Sequence, residues 1–155
     1  MTGKSGIAVL IECEDGAPVP LAIELLGLAR RLADETGGSV TALALGSGIT
    51  GADDTLIAHG ADRVYLADNP IFTPYQADAW MAVLVETLRD LAPAAVLAGH
   101  GAVGADLAPR LAFRLESAAV TDCIAVSAEG EGLTFTRPCY GGKAHEVVSV
   151  KTAPA

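Results

Sequence analysis

The sequence predicts an α/β domain, a mostly parallel sheet with helices on both faces and antiparallel strands at its C-terminal end. Three observations carry this. Short apolar runs alternate four times with segments of helical periodicity. After Glu116 the alternation stops and only strand-like runs follow. The chain has 155 residues, of which 51% are hydrophobic and 19% charged, which suits one core and leaves little room for a second. Strands that alternate with helices pair in parallel, and their sheet is then covered on both sides.

The elements follow in order. Gly6–Glu12 is apolar and too short for a helix, so it reads as a buried strand. From Pro20, the residues Leu21, Leu25, Leu28 and Leu32 recur at helical spacing until Gly37 and Gly38 stop the helix. Ser39–Leu45 is the second strand. Thr50 and Asp53 have capping-box spacing and open a brief helix ending near Gly60. Arg63–Ala67 is the third strand. A second capping signal at Thr73–Gln76 precedes a helix whose apolar face is Trp80, Met81, Leu84, Val85 and Leu88. Ala94–Gly99 is the fourth strand, and Leu107, Leu111 and Leu115 mark the fourth helix. Proline deep inside a helix costs about 3 kcal/mol, so Pro109 places that helix's start near Gly104 or Ala105. Ala118–Val126, Leu133–Arg137 and His145–Val150 are the closing strands. Glu129–Gly132 reads as a hairpin connection between the first two.

Composition excludes several functions. Ten basic residues among nineteen acids give a net charge of −9, the wrong sign for phosphate neutralisation or for an anionic membrane surface. No run approaches the roughly 20 apolar residues of a spanning helix, and the N-terminus lacks a signal-peptide layout, so a cytoplasmic protein is expected. Cys13, Cys123 and Cys139 are far apart and odd in number, as expected of reduced thiols. His59, His100 and His145 have no metal-ligand spacing with one another or with the cysteines, and no metal is expected. His59 reads as a C-terminal helix cap, and Asp53 and Asp54 as first-turn acids favoured by the helix dipole. No nucleophile has a recognisable base, so no catalytic residue is assigned.

Two segments remain as candidate sites. Gly99, His100, Gly101 and Gly104 form a glycine-rich turn at the end of the fourth strand. Free N–H groups and a helix dipole there suit a nucleotide phosphate; the same glycines also serve a tight turn with close helix packing. Glu12 and Glu14, at the end of the first strand, could face the same crevice. The second candidate is the turn after Thr136–Cys139, where Arg137, Tyr140, Gly141 and Lys143 combine interface-prone side chains with glycine freedom, or else form an ordinary hairpin.

The order of these motifs resembles one family. Gly104-Ala105-Asp106-Leu107-Ala108-Pro109-Arg110, running on to Leu115, is similar to a helix motif of electron transfer flavoprotein α subunits. Ala119–Cys123, Thr134–Ala144 and Val148–Thr152 resemble the segments that follow it. The resemblance implies a Rossmann-like three-layer sandwich of the adenine nucleotide α-hydrolase type, packed against a β-type subunit. It implies a component that supports electron transfer from flavin dehydrogenases. FAD belongs to a second domain of the family, and Ala155 falls where that domain would begin, so no flavin contact maps onto this chain and none is expected in isolation. AMP, which the family holds on its β subunit, would have its place here only at Gly99–Gly104; an AMP- or ATP-binding module is the alternative function, and a homodimer through edge strands the alternative assembly. Lys143 stands where the family has asparagine, and His100 where it has a small polar residue.

Overall fold

A computed structural model describes residues 6–129 and 132–151. Four parallel strands form the central sheet: β1 (Ile7–Ile11), β4 (Val40–Gly46), β5 (Arg63–Asp68) and β6 (Ala95–Leu97), in the order β5-β4-β1-β6. Two short strands, β2 (Cys13–Glu14) and β3 (Ala17–Pro18), make a small hairpin after β1. Its turn residues Asp15 and Gly16 both have positive φ, the Asp-Gly signature of a two-residue hairpin that the strand–helix reading passed over. Helices α1 (Pro20–Thr36) and α2 (Ala52–Ala58) cover one face. The other carries α3 (Ala77–Leu91) and α4 (Ala102–Arg114).

Alternation along β1 divides the core. Ile7, Val9 and Ile11 pack with Leu26, Leu32 and Leu56 on one side; Ala8 and Leu10 pack with Trp80, Leu84, Leu88, Leu107 and Leu111 on the other. Every residue of β1 and β4 is buried, as a parallel strand covered on both faces requires. The closing strands β7 (Ala125–Glu129), β8 (Gly132–Cys139) and β9 (Ala144–Ser149) form a separate antiparallel sheet that flanks the central one. Val126 and Phe135 anchor it to the α1 side of the core. The expected three-layer α/β architecture with C-terminal antiparallel strands is the one found. Of the expected hairpin connection, Glu129 and Gly132 are cross-strand partners, whereas Gly130 and Glu131 lie outside the described residues.

Several boundaries differ from expectation, each for a physical reason. Helix α4 starts at Ala102, so Pro109 lies in its interior. The carbonyl that Pro109 cannot pair belongs to Ala105, and both residues are on the exposed face, where water can take the bond. Neither capping box forms. The Thr50 hydroxyl donates to Asp68 (2.6 Å) and Gly51 caps α2; Gln76 caps α3, after a short 3₁₀ turn at Pro70–Phe72 that Asn69 caps and Thr73 ends. Asp53 and Asp54 do sit in the first turn of α2, and His59 is its C-cap, with Nδ1 2.8 Å from the Thr55 carbonyl. On α1 the core stripe is Ala22, Leu26, Ala29, Leu32 and Ala33; Leu21, Leu25 and Leu28 belong to a second apolar stripe beside it. The expected strand Ala118–Val126 is regular only from Ala125. Asp122 is in the left-handed region (φ 59°), which breaks an extended run.

Candidate functional site

The fold supplies one default ligand crevice. From β1 the chain crosses to β4 on one side and reaches β6 on the other, so the C-terminal ends of β1 and β6 flank the point where strand order reverses. The glycine turn lies there, as expected, with Gly101 as the N-cap of α4.

Its interior is already occupied by the chain. Glu12, the residue after β1, turns its carboxylate toward the glycine turn. Its carboxylate oxygens lie 3.8 and 3.9 Å from where a side chain on Gly101 would begin. Burial pushes the Glu12 carboxyl above its ordinary range, the charge of Glu14 adds to this, and the Gly104 N–H opposes both. Gly104 is fixed by contact: a Cβ there would lie 1.9 Å from the Gly99 carbonyl oxygen, so only glycine lets α4 pack this closely on the turn. His100 is exposed beside the loop. A phosphate brought to this turn would meet the Glu12 carboxylate beside it, with Glu14 nearby. The residues present do not fit the pyrophosphate of a dinucleotide such as FAD.

The rest of the glycine motif braces the fold. Asp106 accepts from the Tyr75 hydroxyl (2.7 Å) and from Arg110 Nε (2.9 Å), tying α4 to the loop before α3. These two bonds hold the Asp106 carboxyl below its usual range; burial and then Asp106 push the Tyr75 phenol up to about 12. Tyr75 meets Trp80 edge-on at 5.4 Å, and Trp80 Nε1 donates to the Phe72 carbonyl. Sequence reading did not single out Tyr75, since its partner lies 31 residues away.

The second candidate is a four-residue turn, Tyr140-Gly141-Gly142-Lys143, closing β8 onto β9 across the Cys139–Ala144 pair. Tyr140, Gly141 and Gly142 all have positive φ (51°, 66° and 83°). Two glycines accept this freely, whereas a bulky residue is strained in it by roughly 1–2 kcal/mol. Tyr140 is nonetheless 84% exposed, and Lys143 is exposed beside it. Arg137 points back to form a cross-strand ion pair with Glu146. The structure thus keeps two candidate sites, one at the mouth of the parallel sheet and one at the tip of the antiparallel sheet. Cys13 and Cys139 are half-buried and Cys123 exposed, all three as free thiols; burial pushes the Cys13 thiol up to about 11. Among the described residues no cluster of histidine, cysteine or carboxylate side chains could hold a metal, and no helix is long and apolar enough to cross a membrane.

Comparison with known proteins decides the family. The family described as "Electron transfer flavoprotein domain" matches residues 7–155. The chain belongs to the electron transfer flavoprotein family. The α subunit from Thermoanaerobacterium thermosaccharolyticum is 36% identical over 143 residues, 92% of this chain and 43% of the relative. That from Bacillus subtilis is 35% identical over 148 residues, 96% of this chain and 45% of the relative. The LctC subunit of a lactate dehydrogenase (NAD(+),ferredoxin) from Acetobacterium woodii is 34% identical over 151 residues, 96% and 36% of the two lengths. This electron transfer flavoprotein domain therefore spans less than half the length of these relatives, and it is the α-subunit N-terminal type. Within it, the family's glycine–aspartate–arginine helix motif is a packing and bracing device: Gly104 sets the approach, Asp106 and Arg110 hold it.

Proposed function

We propose that this domain is a non-catalytic scaffold of an electron transfer flavoprotein, docking a β-type subunit through the tip of its antiparallel sheet and supporting electron transfer by flavin held elsewhere in the assembly. The observation that carries this reading is Tyr140, an aromatic side chain 84% exposed and held at positive φ by the turn around it. Folding alone gains nothing from displaying a large ring on a strained backbone, whereas exposed tyrosine and arginine are the residue types on which interfaces concentrate their binding energy. Strand β9 extends the surface: its outer edge pairs with no strand among the described residues, and Val147 is 62% exposed. Lys143 adds a cation to this tip, and Arg137, its charge met by Glu146, adds a planar guanidinium beside it.

Nucleotide binding at Gly99–Gly104 is the weaker reading, because the Glu12 carboxylate lies against that turn and would repel a phosphate. The test is an affinity measurement between the purified chain and a β-type subunit. Tyr140→Ala should weaken binding at least about tenfold, and Arg137→Ala less, with folding unchanged. Unaltered affinity in both variants would remove the hairpin from the interface.

A further inference from the structure

Helices α3 and α4 lie side by side and run the same way. Their N-terminal ends are tied by the bond from Tyr75 to Asp106 (2.7 Å), and their C-terminal ends by Arg89, whose guanidinium donates to the Arg114 carbonyl (3.0 Å). Between the two ties a groove of about 760 Å³ opens to solvent. Met81 and Val85 of α3 and Pro109 of α4 give it apolar walls, and Phe113 lines it toward the C-terminal end. Of the three phenylalanines in the chain, Phe72 and Phe135 are buried, whereas Phe113 is 82% exposed and belongs to neither half of the core. An aromatic ring in water beside an apolar groove that it does not fill is a knob and a hole on one surface.

Charge on the groove has the same doubled character. Asp106 and Arg110 are paired with each other at 2.9 Å. Asp78, toward the N-terminal end, and Arg114, at the C-terminal end, also line the groove, and neither forms an ion pair among the described residues. Two acids and two bases leave this surface neutral on a chain whose net charge is −9. Two such chains repel each other over most of their surface, so contact between copies needs a face without net charge. A strongly charged partner gains nothing here. A second copy turned through a two-fold axis does: each Arg114 meets the other copy's Asp78, and each Phe113 enters the other copy's groove. A surface that carries both halves of every contact is what an isologous pair requires. The turn also sets the helices of the two copies antiparallel, which opposes their dipoles favourably.

We infer that the α3–α4 groove is a homodimer interface, in which Phe113 of each copy anchors in the groove of the other and Arg114 pairs across the two-fold axis with Asp78. This face is separate from the Tyr140 hairpin, and the inference stands whether or not that hairpin docks a β-type subunit.

Sedimentation equilibrium of the 155-residue protein tests it. Between about 10 μM and about 1 mM the chain should pass reversibly from monomer to dimer. Phe113→Asp should weaken association at least about thirtyfold. Asp78→Lys and Arg114→Glu should each weaken it about tenfold, by setting like charges opposite one another. The double variant Asp78→Lys/Arg114→Glu exchanges the two signs and should recover the parent's dissociation constant to within about threefold. All three positions are exposed, so circular dichroism should show every variant folded. Tyr140→Ala should dimerise like the parent. A chain that stays monomeric throughout this range, or a dimer that Phe113→Asp leaves intact, would overturn the inference. So would a dimer lost in Tyr140→Ala, which would put the contact at the hairpin. Failure of the double variant to recover association would overturn the two-fold pairing of Arg114 with Asp78.

Discussion

The mouth of the parallel sheet and the tip of the antiparallel sheet are both glycine turns, yet they are built in opposite ways. At the mouth, the chain fills its own space: the Glu12 carboxylate lies against the turn, Gly104 is pressed against Gly99, and Tyr75 is tied to Asp106. At the tip, a Cβ on Gly141 or Gly142 would meet nothing within 4 Å, and Tyr140 faces solvent. The same residue type thus serves close packing in one place and backbone reversal in the other. What separates them is the surroundings. A turn enclosed between two strands and a helix must be filled from within, and one at the end of a two-faced sheet is left for something else to cover.

Three measurements can break or sharpen that contrast. The largest effect should come from Gly104→Ala, because the new methyl group would overlap the Gly99 carbonyl and force α4 off the turn. Chemical denaturation should show a loss of about 3 kcal/mol. If the variant is as stable as the parent, the mouth is not crowded. A smaller effect, with a characteristic pH dependence, is expected of Tyr75→Phe. The Asp106 carboxyl is held below its ordinary range by Tyr75 and Arg110, so its contribution is present above the unfolded value near about 3.9 and is lost as pH falls through the lower folded value. The gap in melting temperature between parent and variant should therefore be open at neutral pH and narrow below about pH 4. A gap that widens in acid would show that Asp106 is not the group that holds Tyr75. The smallest effect belongs to Val147→Thr on the open face of β9, which should stay within about 0.5 kcal/mol. A larger loss would mean that this face is packed against something in the isolated protein.

The contrast also shows which parts of the molecule were legible beforehand. Strands β1 and β4 were read within a residue or so at each end, since burial on both faces leaves a continuous apolar run that nothing else of that length explains. Helix α1 was located, but of Leu21, Leu25, Leu28 and Leu32 only Leu32 lies in its core stripe, which it shares with Ala22, Leu26, Ala29 and Ala33. Leucine frequency marks an apolar stripe; only the packing decides that Leu26 and Leu32 face the sheet while Leu21, Leu25 and Leu28 line an apolar slot beside β6. The glycine turn was found as a position, and its content was not, because Glu12 reaches it from a strand far away in sequence. The segment 118–123 was expected to be a strand because its side chains suit one, and it lacks only a partner to pair with.

By itself, the sequence determined the order of the four core strands and four helices, the change to antiparallel strands after Glu116, the three free cysteines, and a family likeness that the comparisons bear out. Those properties depend on local periodicity and on motifs read along the chain. Tertiary structure alone decided that a carboxylate lies against the glycine turn, that Asp106 braces Tyr75, and that β6 ends the sheet beside that apolar slot. Each depends on groups brought together from distant parts of the chain, and local periodicity carries no record of which side chain will occupy which neighbour's space.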